Sequence, residues 1–410
     1  MIIKRRIVFV LTSLSVACAQ LDERPREREQ AVVSQTRANF TMGDRELKDG
    51  RFVGLALSGG GSRSAVFGAA VLKELDRVGL LSQVDVLSAV SGGALPAAYY
   101  ALEGYRAISF ADGLMERMGY DIQREVMART YAPHKLVRYW LTNRIDAETV
   151  IRVLDDKLFH GATYADLNPA QPKLLLNATN ALTGEPFVLS DEHFAALHRP
   201  LAPFSIARAV YTSAAYPGLL EPIALLDGTD SAGIPAPPAI IAYDGGPADN
   251  LGLRTLMTVL DQSLKDRLRE DVFPRGCWII SVDATGRFDN VKHEPLSAAT
   301  VLLKSHRREV LELAGIPADQ QDHTKFGTFR AGREPGGGSC RFWHLALRQL
   351  SDHDALGVRV TRIRTNLGLE RGDQEDLARA ARILVDQART EATTQQNGFG
   401  ALFENHPEPR

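Results

Sequence analysis

"RFVGLALSGGGSRSAVFGAAVLKELDRVG", residues 51–79, runs from an apolar stretch through three consecutive glycines into a segment with helical spacing. The apolar stretch suits a buried strand. From Ser64 onward apolar residues recur at helical intervals, and Lys73, Glu74, Asp76 and Arg77 take the other face. The same rhythm returns in "VDVLSAVSGGALPAAYYAL", residues 84–102. Strand, turn and helix repeated in this way predict an α/β fold, its strands parallel and both faces of its sheet covered.

Three bare residues at the mouth of a strand expose amide N–H groups to something negative. A nucleotide phosphate, a lipid head group and an oxyanion formed during a reaction are the candidates. The dinucleotide fingerprint G-x-G-x-x-G fails, because Ser64 stands where the third glycine belongs. A phosphate-binding P-loop fails for want of a lysine. A tight turn without a ligand would not require three glycines, each of which carries an entropy cost.

The bulk composition narrows the partners. The 410 residues are 44% hydrophobic and 24% charged, enough for one large core. Basic and acidic residues number 48 and 50, so no positive excess drives binding to nucleic acid. Lys4, Arg5 and Arg6 precede the apolar run Ile7–Ala17, which has the form of a signal peptide over residues 1–19 and is too short to span a bilayer. Cleavage before Gln20 and lipidation of Cys18 within "LSVAC" both fit. Export follows either way, to the periplasm, to a membrane-attached lipoprotein or to the medium. Export permits a Cys277–Cys340 disulfide. "GCWIISVDA" reads as a buried strand, however, so a free core thiol is the stronger expectation, and two cysteines make no framework.

Residues 20–44 are polar and form a flexible tether, and order begins near Arg51. A single large domain is expected over residues 45–393. It has a helical insertion near residues 103–170, a C-terminal extension after about residue 285, and a tail from residue 394 to residue 410. "PKLLLNATN", "EPFVLS", "PAIIAYDGG", "GCWIISVDA" and "RFWHLALRQL" read as strands. "FSIARAVYTSAAYP", "NLGLRTLMTVLDQSL" and "DQEDLARAARILVDQARTEA" read as helices. Residues Glu221 to Pro238 read as a surface loop.

Chemistry concentrates at three glycine turns. In "SAVSGGALP" Ser91 stands between an apolar strand and a helix, the layout of a nucleophile elbow. The pattern G-x-S-x-G is met by Gly92 and Gly93, while Ala89 holds the first glycine position and keeps the site small. A serine needs a base. Asp244 ends the strand "AIIAYD" before Gly245 and Gly246, and the carboxyl end of a parallel strand faces the ligand crevice of such folds. Asp249 is better placed than Asp244 to cap the helix that follows.

Taken in order, Gly59-Gly60-Gly61-Ser62-Arg63, Ala89-Val90-Ser91-Gly92-Gly93 and Asp244-Gly245-Gly246 resemble the three motifs of the patatin-like phospholipases. "TNALTGEPFVLS", "TSAAYPGLLEP" and Asn250 look like further family blocks, and the resemblance covers roughly Arg51 to Asp283. It implies a three-layer α/β/α sandwich with a mostly parallel central sheet. It also implies a Ser91–Asp244 dyad without histidine and an oxyanion hole from the amides of Gly59, Gly60 and Gly61. Arg63 would pin the loop, add positive potential or meet a lipid phosphate. The implied activity is hydrolysis of phospholipid or lysophospholipid esters at a membrane surface, with no cofactor and no metal.

Two other readings compete. An α/β-hydrolase would pair Ser91 and Asp244 with a later histidine, His293, His323 or His344. A catalytically silent lipid-binding protein could use the same fold. Finally, "YAPHKLVRYWLTNRI" mixes Tyr131, Lys135, Arg138, Tyr139, Trp140 and Arg144. This suits a half-buried helix with a solvated face, the commoner case, or contact with a lipid–water interface.

Overall fold

The computed structural model describes residues 50–103, 110–131, 133–142, 144–226, 238–264, 272–286, 326–330, 339–350, 354–394 and 400–403. The expected signal peptide, the expected tether, His293, His323 and the end of the expected tail lie outside these residues. The described strands form one nine-stranded sheet. Five consecutive neighbours are parallel: β3 (Lys173–Asn180), β2 (Val86–Val90), β1 (Arg51–Leu57), β7 (Gly276–Asp283) and β9 (Ser339–Ala346). Antiparallel strands close the margins: β4 (Pro186–Leu189), β5 (Ile223–Leu226), β6 (Pro238–Asp244) and β8 (Phe326–Arg330). The fold is mixed α/β, with a largely parallel central sheet between helices.

Strand alternation builds a core on each face. Val53, Leu55 and Leu57 of β1 join one cluster with Val66, Phe67, Val71 and Leu75 of α1 (Gly61–Arg77). Phe52 and Ala56 join the other with Leu253, Leu256 and Leu260 of a later helix, Leu253–Leu264. Helix α1 is buried almost all round through its first three turns. Even Glu74, expected on the solvated face, is buried and accepts from Arg77. Arg77 also pairs with Asp386 of the closing helix, Arg371–Thr394.

Four helices of the insertion follow α2 (Ala94–Glu103): α3 (Phe110–Met118), α4 (Ile122–Thr130), α5 (Pro133–Thr142) and α6 (Ala147–Leu154). Helix α7 (Ile206–Ala214) precedes β5. The expected loop Glu221 to Pro238 thus begins with a strand: alternating Ile223 and Leu225 turn inward and pair β5 with β6. After about residue 285, where a C-terminal extension is expected, β9 pairs with β7 and β8 with β9, so this part continues the sheet. Cys277 and Cys340 are disulfide-bonded, with Cα atoms 4.7 Å apart, against the expectation of a free thiol. Adjacent parallel strands bring both buried side chains to one face. Among the described residues no helix is long and apolar enough to cross a membrane.

Candidate active site

The register of β3 explains how two residues 153 positions apart meet. Leu176 and Asn177 pair with both β2 and β4, so those two strands occupy opposite edges of β3. Ala178 and Thr179 pair with both β4 and β6, so β6 lies opposite β4 as well. Strands β2 and β6 therefore share one edge of β3, end to end and pointing at each other. Val90 sits opposite Asn177, Asp244 sits opposite Ala178, and the next residue after Val90 is Ser91. The expectation that Asp244 ends a parallel strand is corrected: it ends an antiparallel strand that descends onto the carboxyl end of β2.

Ser91 Oγ donates to Asp244 Oδ2 at 2.7 Å. Asp244 Oδ1 accepts from Gly246 N–H at 2.7 Å, which fixes the carboxylate plane. Burial pushes the Asp244 carboxyl up to about 6, against the hydrogen bonds from Ser91 and Gly246 that favour its charged form. Ser91 is 8% exposed and adopts φ 51°, a left-handed conformation that serine seldom visits. That strain turns the chain from an extended Val90 straight into Ala94 of α2. Ala89 lies within extended β2, away from positive φ, so the missing glycine of the elbow costs nothing here.

The three turns touch. A methyl group on Gly92 would lie 1.9 Å from the Gly61 carbonyl oxygen. Only bare backbone on both sides brings the glycine loop against the elbow. Gly59 N–H donates to Asn250 O at 2.9 Å, so its amide is committed elsewhere, contrary to the expected role. Ser62 N–H donates to Asn366 O at 2.9 Å. No described residue accepts from the N–H groups of Gly60 and Gly61, which stand at the positive end of α1.

Arg63 is 5% exposed. Its Nε donates to Ala284 O at 2.7 Å and its Nη1 to Ile363 O, so the guanidinium holds the loop and is not open to a lipid phosphate. Burial lowers it to about 10, partly offset by Asp283, and it stays charged at neutral pH. A 3.6 Å contact pairs His344 Nε2 with Asp283 Oδ2. The Ser91–Asp244 contact leaves no room for an imidazole between them. Asp249 Oδ2 accepts from Arg254 N–H, the capping role expected of it.

Several supporting residues carried no role in the sequence. Ser213 Oγ accepts from Ser91 N–H at 2.9 Å and donates to Asn177 O at 2.6 Å. Asn177 Nδ2 donates to Ser88 Oγ and Ala89 O, both at 2.9 Å. One signal was available: an asparagine inside the apolar run "LLLNATN" needs buried partners. A cavity of about 360 Å³ lined by Gln171, Lys173 and Asp191 lies at the amino end of β3, away from the dyad. Among the described residues no cluster of His, Cys, Asp and Glu could hold a metal ion.

The family model for patatin-like phospholipases matches residues 55–257. The chain carries a patatin-like phospholipase domain. The structure of human GIVD cytosolic phospholipase A2 is 15% identical with a TM-score of 0.52, covering 95% of this chain and 64% of that one. This chain therefore spans just under two thirds of that protein, and the likeness is one of fold. VipD from Legionella pneumophila, 14% identical, aligns over 82% of this chain and 67% of its own with a TM-score of 0.36. No curated protein matches the sequence. Strands β7 and β9, and Ala284 and Ile363 whose carbonyls hold Arg63, all lie beyond the matched region.

Proposed function

We propose that this protein cleaves carboxylic esters of phospholipids or lysophospholipids, with Ser91 as nucleophile and Asp244 as base. The observation that carries the reading is the 2.7 Å hydrogen bond from a strained, buried serine to a carboxylate held by backbone. Asp244 takes the Ser91 proton as Oγ attacks the ester carbonyl. The amides of Gly60 and Gly61 receive the negative charge that develops on the carbonyl oxygen. Collapse returns the proton to the departing alcohol and leaves an acyl-Ser91. Water, deprotonated by Asp244, then attacks the acyl group, the fatty acid leaves, and Ser91 regains its proton.

We further propose export by way of residues 1–19, with Cys18 either lipidated or removed. The Cys277–Cys340 bond supports an oxidising compartment. Mass spectrometry of the mature N-terminus decides between the two routes. A fluorophosphonate probe tests the nucleophile. It should label wild type at Ser91, and Ser91→Ala should lose both labelling and ester hydrolysis, the latter on the order of 10⁶-fold. Hydrolysis that survives Ser91→Ala sinks the proposal. Lipid binding without labelling would leave the silent lipid-binding reading.

A further inference from the structure

Large apolar side chains exposed among the described residues come from two places. Tyr120, Tyr131, Trp140 and Leu141 belong to the helical insertion, and Leu182, Tyr216 and Leu219 belong to the turns that flank β6. Trp140 and Leu141 are adjacent at the end of α5 and are 81% and 71% exposed. Backbone contacts tie the two places together. Ile145 N–H, just past α5, donates to Leu219 O at 2.9 Å, and Glu221 N–H donates to Ile145 O at 3.3 Å. The same turn holds the base, since Asp244 N–H donates to Ala215 O at 3.1 Å. Ala181 N–H donates to Ile241 O at 2.7 Å, which fixes the turn bearing Leu182 to β6.

We propose that Trp140, Leu141, Tyr216 and Leu219 form an apolar rim that seats on a phospholipid bilayer. Tyr216 and Leu219 lie on the turn bonded to the strand end that carries Asp244, and Trp140 and Leu141 lie just before Ile145, which is bonded to that turn. The inference rests on the proposed hydrolase, whose substrate must pass from a bilayer to a nearly buried serine. Tryptophan and tyrosine have amphipathic rings that settle at the lipid–water boundary, and leucine supplies apolar area beneath them. The exposed Arg144 beside them is placed to remain with the head groups. The sequence left α5 open between a half-buried helix and interfacial contact, and the exposure of Trp140 and Leu141 favours the second.

The molecule carries its own probe. It has three tryptophans, and Trp278 and Trp343 are buried, so a change of environment in emission reports Trp140. The full chain as Ser91→Ala is titrated with phosphatidylcholine vesicles. The expected result is a blue shift, quenching by lipids brominated on the acyl chain, and persistence of both at high salt. Trp140→Phe removes the signal. Leu141→Glu combined with Leu219→Glu weakens vesicle affinity at least tenfold while keeping the wild-type thermal midpoint. Unshifted emission at saturating vesicles overturns the proposal. So does a blue shift without vesicles that follows protein concentration, because the rim would then cover a second copy of the chain. Failure of ester hydrolysis sinks the hydrolase reading alone, since the emission measurement does not depend on it.

Discussion

The glycine loop at residues 58–63 and helix α5 at residues 133–142 occupy the same domain under opposite constraints. In the loop the amides of Gly59 and Ser62 are committed to backbone carbonyls, the Arg63 guanidinium to Ala284 and Ile363, and the Gly61 carbonyl packs against Gly92. The amides of Gly60, Gly61 and Arg63 are left over. In helix α5 Lys135 donates to Thr149 Oγ1 at 2.5 Å, and Tyr139 makes an edge contact with Tyr131. Trp140 and Leu141 at its end face solvent. Donors that meet a developing charge must stand in place before the charge appears, because any reorganisation during the reaction adds to the barrier. A surface that meets fluid lipid needs apolar area and no fixed geometry.

Substitutions on the two sides should separate these constraints. The largest effect is expected at Asp244→Asn, which should lower kcat on the order of 10⁴-fold. In wild type kcat/KM should rise through pH about 6 as Asp244 ionises, then level off. This limb falls near the ordinary histidine range, so a pH profile alone does not tell carboxylate from imidazole, contrary to the simple expectation for an aspartate. Stability carries the opposite sign. The folded Asp244 carboxyl holds its proton to higher pH than the unfolded one, so its contribution is fully present below pH about 4 and lost as pH rises through about 6. At neutral pH the buried charge costs about 2–3 kcal/mol. Asp244→Asn should therefore match or exceed wild type in thermal midpoint at pH 8, with the gain vanishing toward pH 4. A variant less stable than wild type at pH 8 would show that the carboxylate is held without penalty.

Next in size is Gly92→Ala. Its methyl meets the Gly61 carbonyl, so elbow and loop must part, and kcat should fall about 10²-fold with a smaller change in KM. Equal activity in this variant would detach the glycine loop from the chemistry. Arg63→Met, a step smaller, removes the strut and leaves two buried carbonyls unpaired. A loss of roughly tenfold is expected, seen as slower fluorophosphonate labelling together with a lowered thermal midpoint. A loss confined to anionic lipid substrates would instead return Arg63 to phosphate contact.

Much of the fold was legible because its signals are local. Glycine turns after apolar strands mark α/β crossovers, and nothing distant is needed to read "LALSGGG" or "SAVSGG". Ser91 was legible for the same reason. Its partner was found by a route that the structure corrects, since β6 runs antiparallel to β3 and strand direction is not written in an apolar run. Ile223–Leu226 reads as loop in the sequence because a four-residue edge strand beside Pro, Gly and Asp carries too little periodicity to register. The disulfide was discounted because cysteines 63 positions apart show no geometry until β7 and β9 lie side by side.

By itself the sequence determined the α/β class, the three glycine turns, the serine and the aspartate, because residue type and short-range spacing set these. Only the tertiary structure decided which amides of the glycine loop stay unpaired. That answer depends on Asn250 and Asn366, which arrive 191 and 304 residues after Gly59 and Ser62. It also decided that Arg63 is a buried strut and that Trp140 faces solvent. Hydrogen-bond competition and burial are properties of the assembled chain, and no local pattern encodes them.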